Sequence, residues 1–365
     1  MIYVYVCFSS VLFAHLASRA KNKVMMYIFS VISILIPCIV GGLRAHGVGR
    51  DTEVYGLADF WEALQAPDME TFVFRGREIG YRFLCYVIAN TFGHENWCYF
   101  AYQILTLTCV YIGAYKHKDK ISLPFFIFVW FTLFYSQSYN AMRQTMACAI
   151  IFMNIDQLEQ KHYWKFALTI AFAALFHTSA LAAWGLLIGI HIVTTSQTLD
   201  RNLWLKMIVF YGSLAIFLVL RPIMTYVVSN LSIFSKYTGL AASRQGDIGI
   251  SISMVLVGEM LLMFIYSSGA PRIFTTNGIK NFEFYRYSLM FCIAFMFIIR
   301  FWAGRILMYQ YYANALLLAA IPKFVKEKHL RFLVMMILAA VLSYYWWHIH
   351  VFRLNSAVWP YRSIL

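Results

Sequence analysis

The feature that most constrains this chain is a series of long apolar runs, separated by short stretches that carry basic residues. A run of about 20 apolar residues is long enough to cross the hydrocarbon core of a bilayer. Of the 365 residues, 61% are hydrophobic and only 13% are charged, whereas soluble domains carry about 25% charged residues. This composition excludes a soluble enzyme, a secreted disulfide scaffold and a disordered protein. It predicts an all-α, polytopic integral membrane protein.

The apolar runs predict about twelve transmembrane helices, which form a single transmembrane domain over residues 1–365. The candidate spans are 2–18, 24–43, 97–115, 121–138, 141–157, 163–176, 178–194, 203–220, 250–268, 286–302, 305–322 and 331–349. Two shorter runs, 79–93 and 222–235, are expected to be re-entrant or interfacial, because counting either as a span breaks the alternation of charge. The run 163–194 has no turn residues near its middle, so it is either two spans or one broken helix.

The 30 basic residues predict a topology when they are sorted by side. Loops rich in basic residues face the cytoplasm, which places the N-terminus outside and assigns the net charge of +14 to loops, with no nucleic-acid partner. The predicted inner loops then carry mostly lysine, and the outer side carries almost only arginine. Lysine suffices for topology, whereas the planar fork of arginine matches phosphate or carboxylate. The outer arginines therefore indicate an anionic ligand, although any one of them could instead snorkel to the interface.

The predicted outer loop, residues 44–78, begins and ends with groups that suit an anionic site. Its first stretch carries Arg44, Arg50 and Asp51 around glycines, which let main-chain N–H groups approach a phosphate. Glu78 lies just before an amphipathic apolar run, where it could cap a helix, face the site, or do both. An ordinary polar loop is the alternative.

Two further segments place polar groups in apolar surroundings. Asn140 is followed at helical spacing by Arg143 and Gln144, which are costly in a membrane unless they meet partners or a ligand. A polar cap at the interface is the alternative. His177 lies within an apolar stretch on the predicted outer side, where it is either a core residue or a base suited to take a hydroxyl proton near neutral pH.

The last polar segment runs from Arg300 through Arg305 to Tyr309, at the outer end of a predicted helical hairpin. Its aromatic rings suit sugar faces, but they also suit an ordinary interfacial belt. The seven cysteines are scattered without a CxxC pair and indicate neither a disulfide framework nor a zinc site. Nucleotide-binding motifs are absent from the sequence and the inner loops are short, so any donor substrate has to be in the membrane already.

In chain order, these motifs resemble those of the EpsG family, which groups bacterial exopolysaccharide proteins with Wzy-type O-antigen polymerases. The matching stretches are Arg44, Gly49-Arg-Asp-Thr-x-x-Tyr55, Glu78-x-Gly-Tyr81, Met142-Arg-Gln144, Phe176-His-x-Ser179 and Arg305-x-x-x-Tyr309. Members of that family often have a small or hydroxyl residue where this chain has Arg50. A role for Arg50 is therefore less secure than one for Asp51.

The resemblance implies a glycosyltransferase of the bacterial inner membrane that faces the periplasm and uses no metal or other cofactor. Such an enzyme joins oligosaccharide repeat units that are carried on undecaprenyl diphosphate into a surface polysaccharide. The expected partners are the lipid-linked donor, the lipid-linked acceptor and the membrane lipid. A chain-length regulator is a further candidate partner.

The expected site residues form two groups. His177 is the first choice as general base, with Asp51 and Glu78 as alternatives. The expected diphosphate- and sugar-binding residues, with Arg143 and Arg305 ranked first, are Arg44, Arg50, Asn140, Arg143, Gln144, Arg300, Arg305 and Tyr309. A flippase for the same lipid, an O-antigen ligase-type transferase and an O-acyltransferase stay open, although a flippase would be expected to contain internal repeats and the sequence has none.

Overall fold

The computed structural model describes residues 1–76, 78–195, 284, 285, 288, 307–354 and 356–365. Within these ranges the regular structure is helical and contains no β-strand. The α-helices are α1 (Ile2–Arg19), α2 (Lys23–Gly42), α3 (Ala58–Gln65), α4 (Met69–Phe74), α5 (Ile79–Phe92), α6 (Glu95–Lys116), α7 (Leu123–Trp130), α8 (Met142–Met153), α9 (Ile155–Glu159), α10 (Tyr163–Ala174), α11 (Ile190–Thr194), α12 (Met308–Phe324) and α13 (Lys328–Trp347).

Four helical segments in the described part of the chain are long and apolar enough to cross a membrane. They are Ile2–Arg19, Lys23–Gly42, Glu95–Lys116 and Lys328–Phe352. Shorter apolar helices cover Leu123–Tyr135 and Met142–Met153. The predicted all-helical membrane fold is thus confirmed, whereas the count of about twelve spans is not. The predicted segments 203–220, 222–235, 250–268 and 286–302 lie, apart from residue 288, outside the described residues.

The structure adds detail to two predicted segments. The run 163–194 is broken, because α10 ends at Ala174 and is followed by a 3₁₀ turn over Thr178–Leu181 and a π-helical turn over Trp184–Gly189. The predicted polar loop 44–78 is largely helical, since it contains a π-helical turn over Thr52–Leu57 as well as α3 and α4.

The chain divides into two compact units. The first comprises residues 1–181, 271–279 and 315–365, and the second comprises residues 182–270 and 280–314. In the second unit, the described residues include α11, on which the ring of His191 meets the ring of Phe284 edge to face at 5.0 Å.

One end of the first unit collects lysines. Lys116 at the end of α6 donates to the carbonyl of Met153 (2.8 Å), and Lys323 near the end of α12 donates to the carbonyl of Lys118 (3.0 Å). The Tyr115 hydroxyl reaches the first turn of α2, so the α1–α2 turn lies here as well. The basic residues along the described chain at this lysine-rich end are Arg19, Lys21, Lys23, Lys116, Lys118, Lys120, Lys161, Lys165, Lys323, Lys326, Lys328 and Arg331.

The opposite end of the same unit holds both termini of the chain and carries arginine. The Tyr3 hydroxyl donates to the carbonyl of Val358 (2.8 Å), and Asn96 at the start of α6 donates to the carbonyl of Arg44 (3.1 Å). The described basic residues at this arginine-rich end are Arg44, Arg50, Arg75, Arg82, Arg143, Arg353 and Arg362. The separation of lysine from arginine that the sequence predicts is therefore present in this unit.

Candidate active site

A backbone contact brings the start of α5 to the end of α10. The N–H groups of Gly80 and Tyr81 donate to the Leu175 carbonyl at 2.9 Å and 3.4 Å. The first N–H groups of a helix lack partners within the helix, so this carbonyl satisfies groups that would otherwise be unpaired. A Cβ added at Gly80 would lie 3.0 Å from the Leu175 Cβ, which explains why glycine suits this close approach. The contact places Glu78, just before α5, beside His177, just past α10.

The Glu78 carboxylate bridges a histidine and an arginine. Its Oε1 lies 2.5 Å from His177 Nδ1 and accepts the Thr178 N–H at 3.3 Å, while its Oε2 pairs with Arg143 Nη1. Glu78 occupies the N-cap position of α5 without capping it through its side chain. Of the two roles considered for Glu78 from sequence, its carboxylate adopts the one that faces the site. We call this group the Glu78–Arg143–His177 cluster.

The charge of Glu78 sets the proton position on the histidine. Burial raises the pKa of Glu78, but the hydrogen bond with His177 and the charge of Arg143 outweigh it, so the pKa lies below its ordinary value. Because an ionised carboxylate can only accept hydrogen bonds, the proton of a neutral His177 is held at Nδ1. The other ring nitrogen, Nε2, is then left as a proton acceptor, and it makes no hydrogen bond to any residue that the structure describes.

Two aromatic rings fix the guanidinium of Arg143. Its Cζ lies 3.5 Å from the centroid of the Tyr55 ring and 5.3 Å from that of Tyr81. The Tyr81 hydroxyl donates to the Tyr55 main-chain carbonyl at 3.3 Å, which ties the Tyr81 side chain to the backbone of Tyr55. Such cation–π contacts stabilise the charge of the arginine. About one-fifth of the Arg143 side chain, 20%, remains exposed, so N–H groups beyond the one paired with Glu78 can meet an anion.

The cluster lies within the thickness of the helical bundle. Helix α8 ends, and α10 begins, at the lysine-rich end, and each has 12 residues, which span about 18 Å. Helix α6 has 22 residues and spans about 33 Å, comparable to the roughly 30 Å of a bilayer core. Arg143 at the start of α8 and His177 just past α10 therefore lie at the ends of these two short helices that face away from the lysine-rich end.

Arg44 occupies a different environment from the one predicted. Its exposed fraction is 0%, and its guanidinium donates to the Gly41 carbonyl and, at 3.3 Å, to the Thr52 hydroxyl. The rings of Tyr99 and Tyr139 enclose it at 4.4 Å and 4.5 Å. The predicted role in diphosphate binding does not fit this geometry, because the donors are enclosed and used to fasten the end of α2 to the loop that follows it.

Asp51 and Asn140 fasten the same loop to α8. Asp51 Oδ2 accepts the Met142 N–H at 2.9 Å and so caps the start of α8, while Asn140 Oδ1 accepts the Arg50 N–H at 2.9 Å. The structure thus gives Asp51, the alternative base, a helix-capping contact outside the cluster. The Arg50 side chain is exposed.

Of the other predicted residues, two are buried and two lie outside the described residues. Gln144 on α8 is 2% exposed, and Tyr309 at the start of α12 is 1% exposed. Arg300 and Arg305 lie outside the described residues. Among the residues that the structure describes, no group of three or more His, Cys, Asp or Glu side chains could hold a metal ion.

Sequence reasoning missed three neighbours of the cluster. Tyr55 and Tyr81 belong to the family motifs, which is a signal that could have marked them as more than an aromatic belt. Asp59 on α3 lies close enough to Arg143 and Tyr81 to interact with both, and burial raises its pKa. No pattern marks Asp59, because its position depends on how α3 folds back on α5.

The fold and the site together define a helical membrane protein with a carboxylate–histidine–arginine cluster inside its arginine-rich end. The sequence model of the EpsG family matches residues 27–363, which is nearly the whole chain. This chain therefore belongs to the EpsG family, a family of the exopolysaccharide- and O-antigen-polymerase type. Searches of curated proteins and of solved structures give no match.

Proposed function

We propose that this protein is a membrane glycosyltransferase that joins oligosaccharide units carried on undecaprenyl diphosphate into a surface polysaccharide. The observation that carries the proposal is the Glu78 bridge. One carboxylate holds a histidine that can accept a proton and an arginine that can meet a diphosphate. Membership of the EpsG family supports the class of product.

Arg143 acts on the donor. In the transfer step, the bond between the sugar C1 and the diphosphate oxygen breaks, and negative charge grows on the departing lipid diphosphate. The guanidinium is already fixed over Tyr55, so it needs little rearrangement to stabilise that charge. Donors arranged in this way typically contribute a factor of about 10²–10³ to a rate.

His177 acts on the acceptor. The acceptor hydroxyl oxygen forms the new bond to C1, and its proton passes to His177 Nε2. The imidazolium that results is stabilised by Glu78 at Nδ1, as a carboxylate does in other histidine bases. The proton is released afterwards, which restores the neutral ring for the next unit.

The position of the cluster supports a substrate that carries an anionic group. Arg143 and His177 both lie towards the arginine-rich end of the first unit, and Arg143 keeps its positive charge at membrane depth. We place this end in the periplasm and the lysine-rich end in the cytoplasm of a bacterial inner membrane, in keeping with the preference of basic loops for the cytoplasm. Arg143 supplies a positive charge at the diphosphate, so the mechanism needs no metal ion.

The test uses the purified full-length protein and defined lipid-linked units in detergent. We expect His177→Ala to slow chain elongation by about 10²–10⁴-fold, the usual contribution of a general base. His162→Ala is the matched control, because His162 is an exposed histidine at the lysine-rich end. Its elongation rate should equal that of the unsubstituted protein.

Three outcomes would overturn the proposal. Normal elongation by both His177→Ala and Arg143→Ala would remove the cluster from the reaction. Movement of labelled lipid-linked sugar across liposomes without any lengthening would make the protein a flippase. Transfer of glycan to a lipid A core acceptor, but not to a second lipid-linked unit, would make it a ligase.

A further inference from the structure

The hairpin formed by α5 and α6 carries two cysteines on its inner face. Only Gly93 and His94 connect the two helices, and Gly93 adopts the left-handed conformation (φ 65°) that allows so tight a turn. Two stacked aromatic pairs define how the helices meet. They are Phe92–Trp97, with centroids 4.9 Å apart, and Tyr81–Tyr102, with centroids 5.1 Å apart. Cys85 and Cys98 lie between these pairs along their respective helices.

The two thiols are enclosed together. Cys85 is 1% exposed and Cys98 is 0% exposed, and the two side chains lie close enough to interact with each other. Both are free cysteines in this structure. Because the stacked rings on either side hold the helices in register, the two sulfur atoms stay neighbours.

We propose that Cys85 and Cys98 form a disulfide bond in the mature protein. Each thiol loses one hydrogen as the S–S bond forms. The two electrons and two protons pass to a disulfide-bearing thiol oxidoreductase, which leaves as a dithiol. Both cysteines lie towards the arginine-rich end of the hairpin, the end expected to face an oxidising compartment, where disulfides form and persist.

The bond would act on the candidate site through α5. This helix begins directly after Glu78 and carries Tyr81, while α6 is the longest described helix. A covalent link between them restricts the unfolded chain and holds the start of α5 against a full membrane span. The proposal rests on the periplasmic placement of the arginine-rich end given under the proposed function, but not on the reaction assigned to the site.

The experiment counts thiols in the purified full-length protein by alkylation under denaturing, non-reducing conditions, followed by intact mass measurement. The chain has seven cysteines. If Cys85 and Cys98 are paired, five cysteines should react without reductant and all seven should react after reduction. Thermal unfolding adds a second measurement, in which reduction should lower the Tm by about 5 °C.

Single substitutions identify the pair. Cys85→Ser leaves six cysteines, and all six should react without reductant, because the partner Cys98 is released. Cys98→Ser should behave in the same way. The control Cys109→Ser also leaves six cysteines, but only four should react. Seven reactive thiols in the unsubstituted protein, or four in Cys85→Ser, would overturn the proposal.

Discussion

Arg44 and Arg143 lie at the same end of the protein, and each sits between two tyrosine rings. Arg44 is fully buried and directs its donors to a backbone carbonyl and a threonine hydroxyl. Arg143 is partly exposed and pairs with Glu78, which also holds a histidine. An aromatic cage is therefore common to both arginines and does not distinguish them. Partial exposure and the pairing with a carboxylate that also holds a histidine distinguish Arg143 from Arg44.

Among the variants that test this comparison, the largest effect is expected for Arg143→Ala. Loss of its guanidinium should slow elongation by about 10²–10³-fold, equivalent to about 2.7–4 kcal/mol of transition-state stabilisation. The Tm should fall as well, because the buried Glu78 carboxylate loses its arginine partner. Elongation assays with thermal unfolding of the same preparation test both points.

Two further variants accompany Arg143→Ala. Arg143→Lys separates the effect of charge from that of the planar fork, and Arg75→Ala is the matched control. Lysine keeps the charge but loses the fork and the stacking, so we expect an intermediate rate. Arg75 lies at the same end with a side chain that is 74% exposed, and its substitution should leave the rate unchanged. A variant of Arg143 that fails to fold would erase the contrast with Arg44.

Arg44→Ala should differ from Arg143→Ala in its elongation rate. We expect a loss of stability but little loss of activity per folded molecule. Removing the side chain leaves the Gly41 carbonyl unpaired and a cavity between two rings, which should lower the free energy of unfolding by about 3 kcal/mol. Arg44→Lys should not restore it, because an ammonium cannot replace the planar fork. A stable but inactive Arg44→Ala protein would return Arg44 to ligand binding.

Gly49→Ala tests the loop that holds Arg44 and Asp51. Gly49 has φ 95°, and an added Cβ would lie 2.6 Å from the Tyr139 carbonyl oxygen, so we expect a loss of about 1–3 kcal/mol in thermal or denaturant unfolding. Gly47→Ala is the matched control, because its added Cβ would meet nothing within 4 Å. Equal losses in the two variants would show that the close approach at Gly49 is not what stabilises the loop.

The smallest effect is expected for the pH dependence of the Tm difference between the unsubstituted protein and Glu78→Gln. Because the folded-state pKa of Glu78 lies below its ordinary value of 4.5, its ionised contacts stabilise the fold fully above that value. This stabilisation is lost as the pH falls through the lowered pKa. The difference in Tm between the unsubstituted protein and Glu78→Gln should therefore stay constant from neutral pH to about 5 and shrink below it. A difference that already vanishes near pH 6 would contradict the lowered pKa.

The sequence predicted several parts of this protein for reasons that are local. Apolar runs fixed the helical membrane class, because a bilayer requires each span to satisfy its own backbone hydrogen bonds. The motifs around Glu78, Arg143 and His177 gave all three members of the cluster. The burial of Arg44 and the capping contact of Asp51 were not predicted, because both depend on residues far away in the chain, such as Tyr139 and Met142.

The sequence by itself determined that the chain is helical and apolar, that lysine and arginine separate to opposite ends of the first unit, and that it has the motifs of its family. Only the tertiary structure decided which arginine is enclosed and which one stays partly exposed. It also decided that Glu78 reaches His177, because the Leu175 carbonyl meets the N–H groups at the start of α5. Such contacts join segments about a hundred residues apart, and no local pattern records how those segments pack.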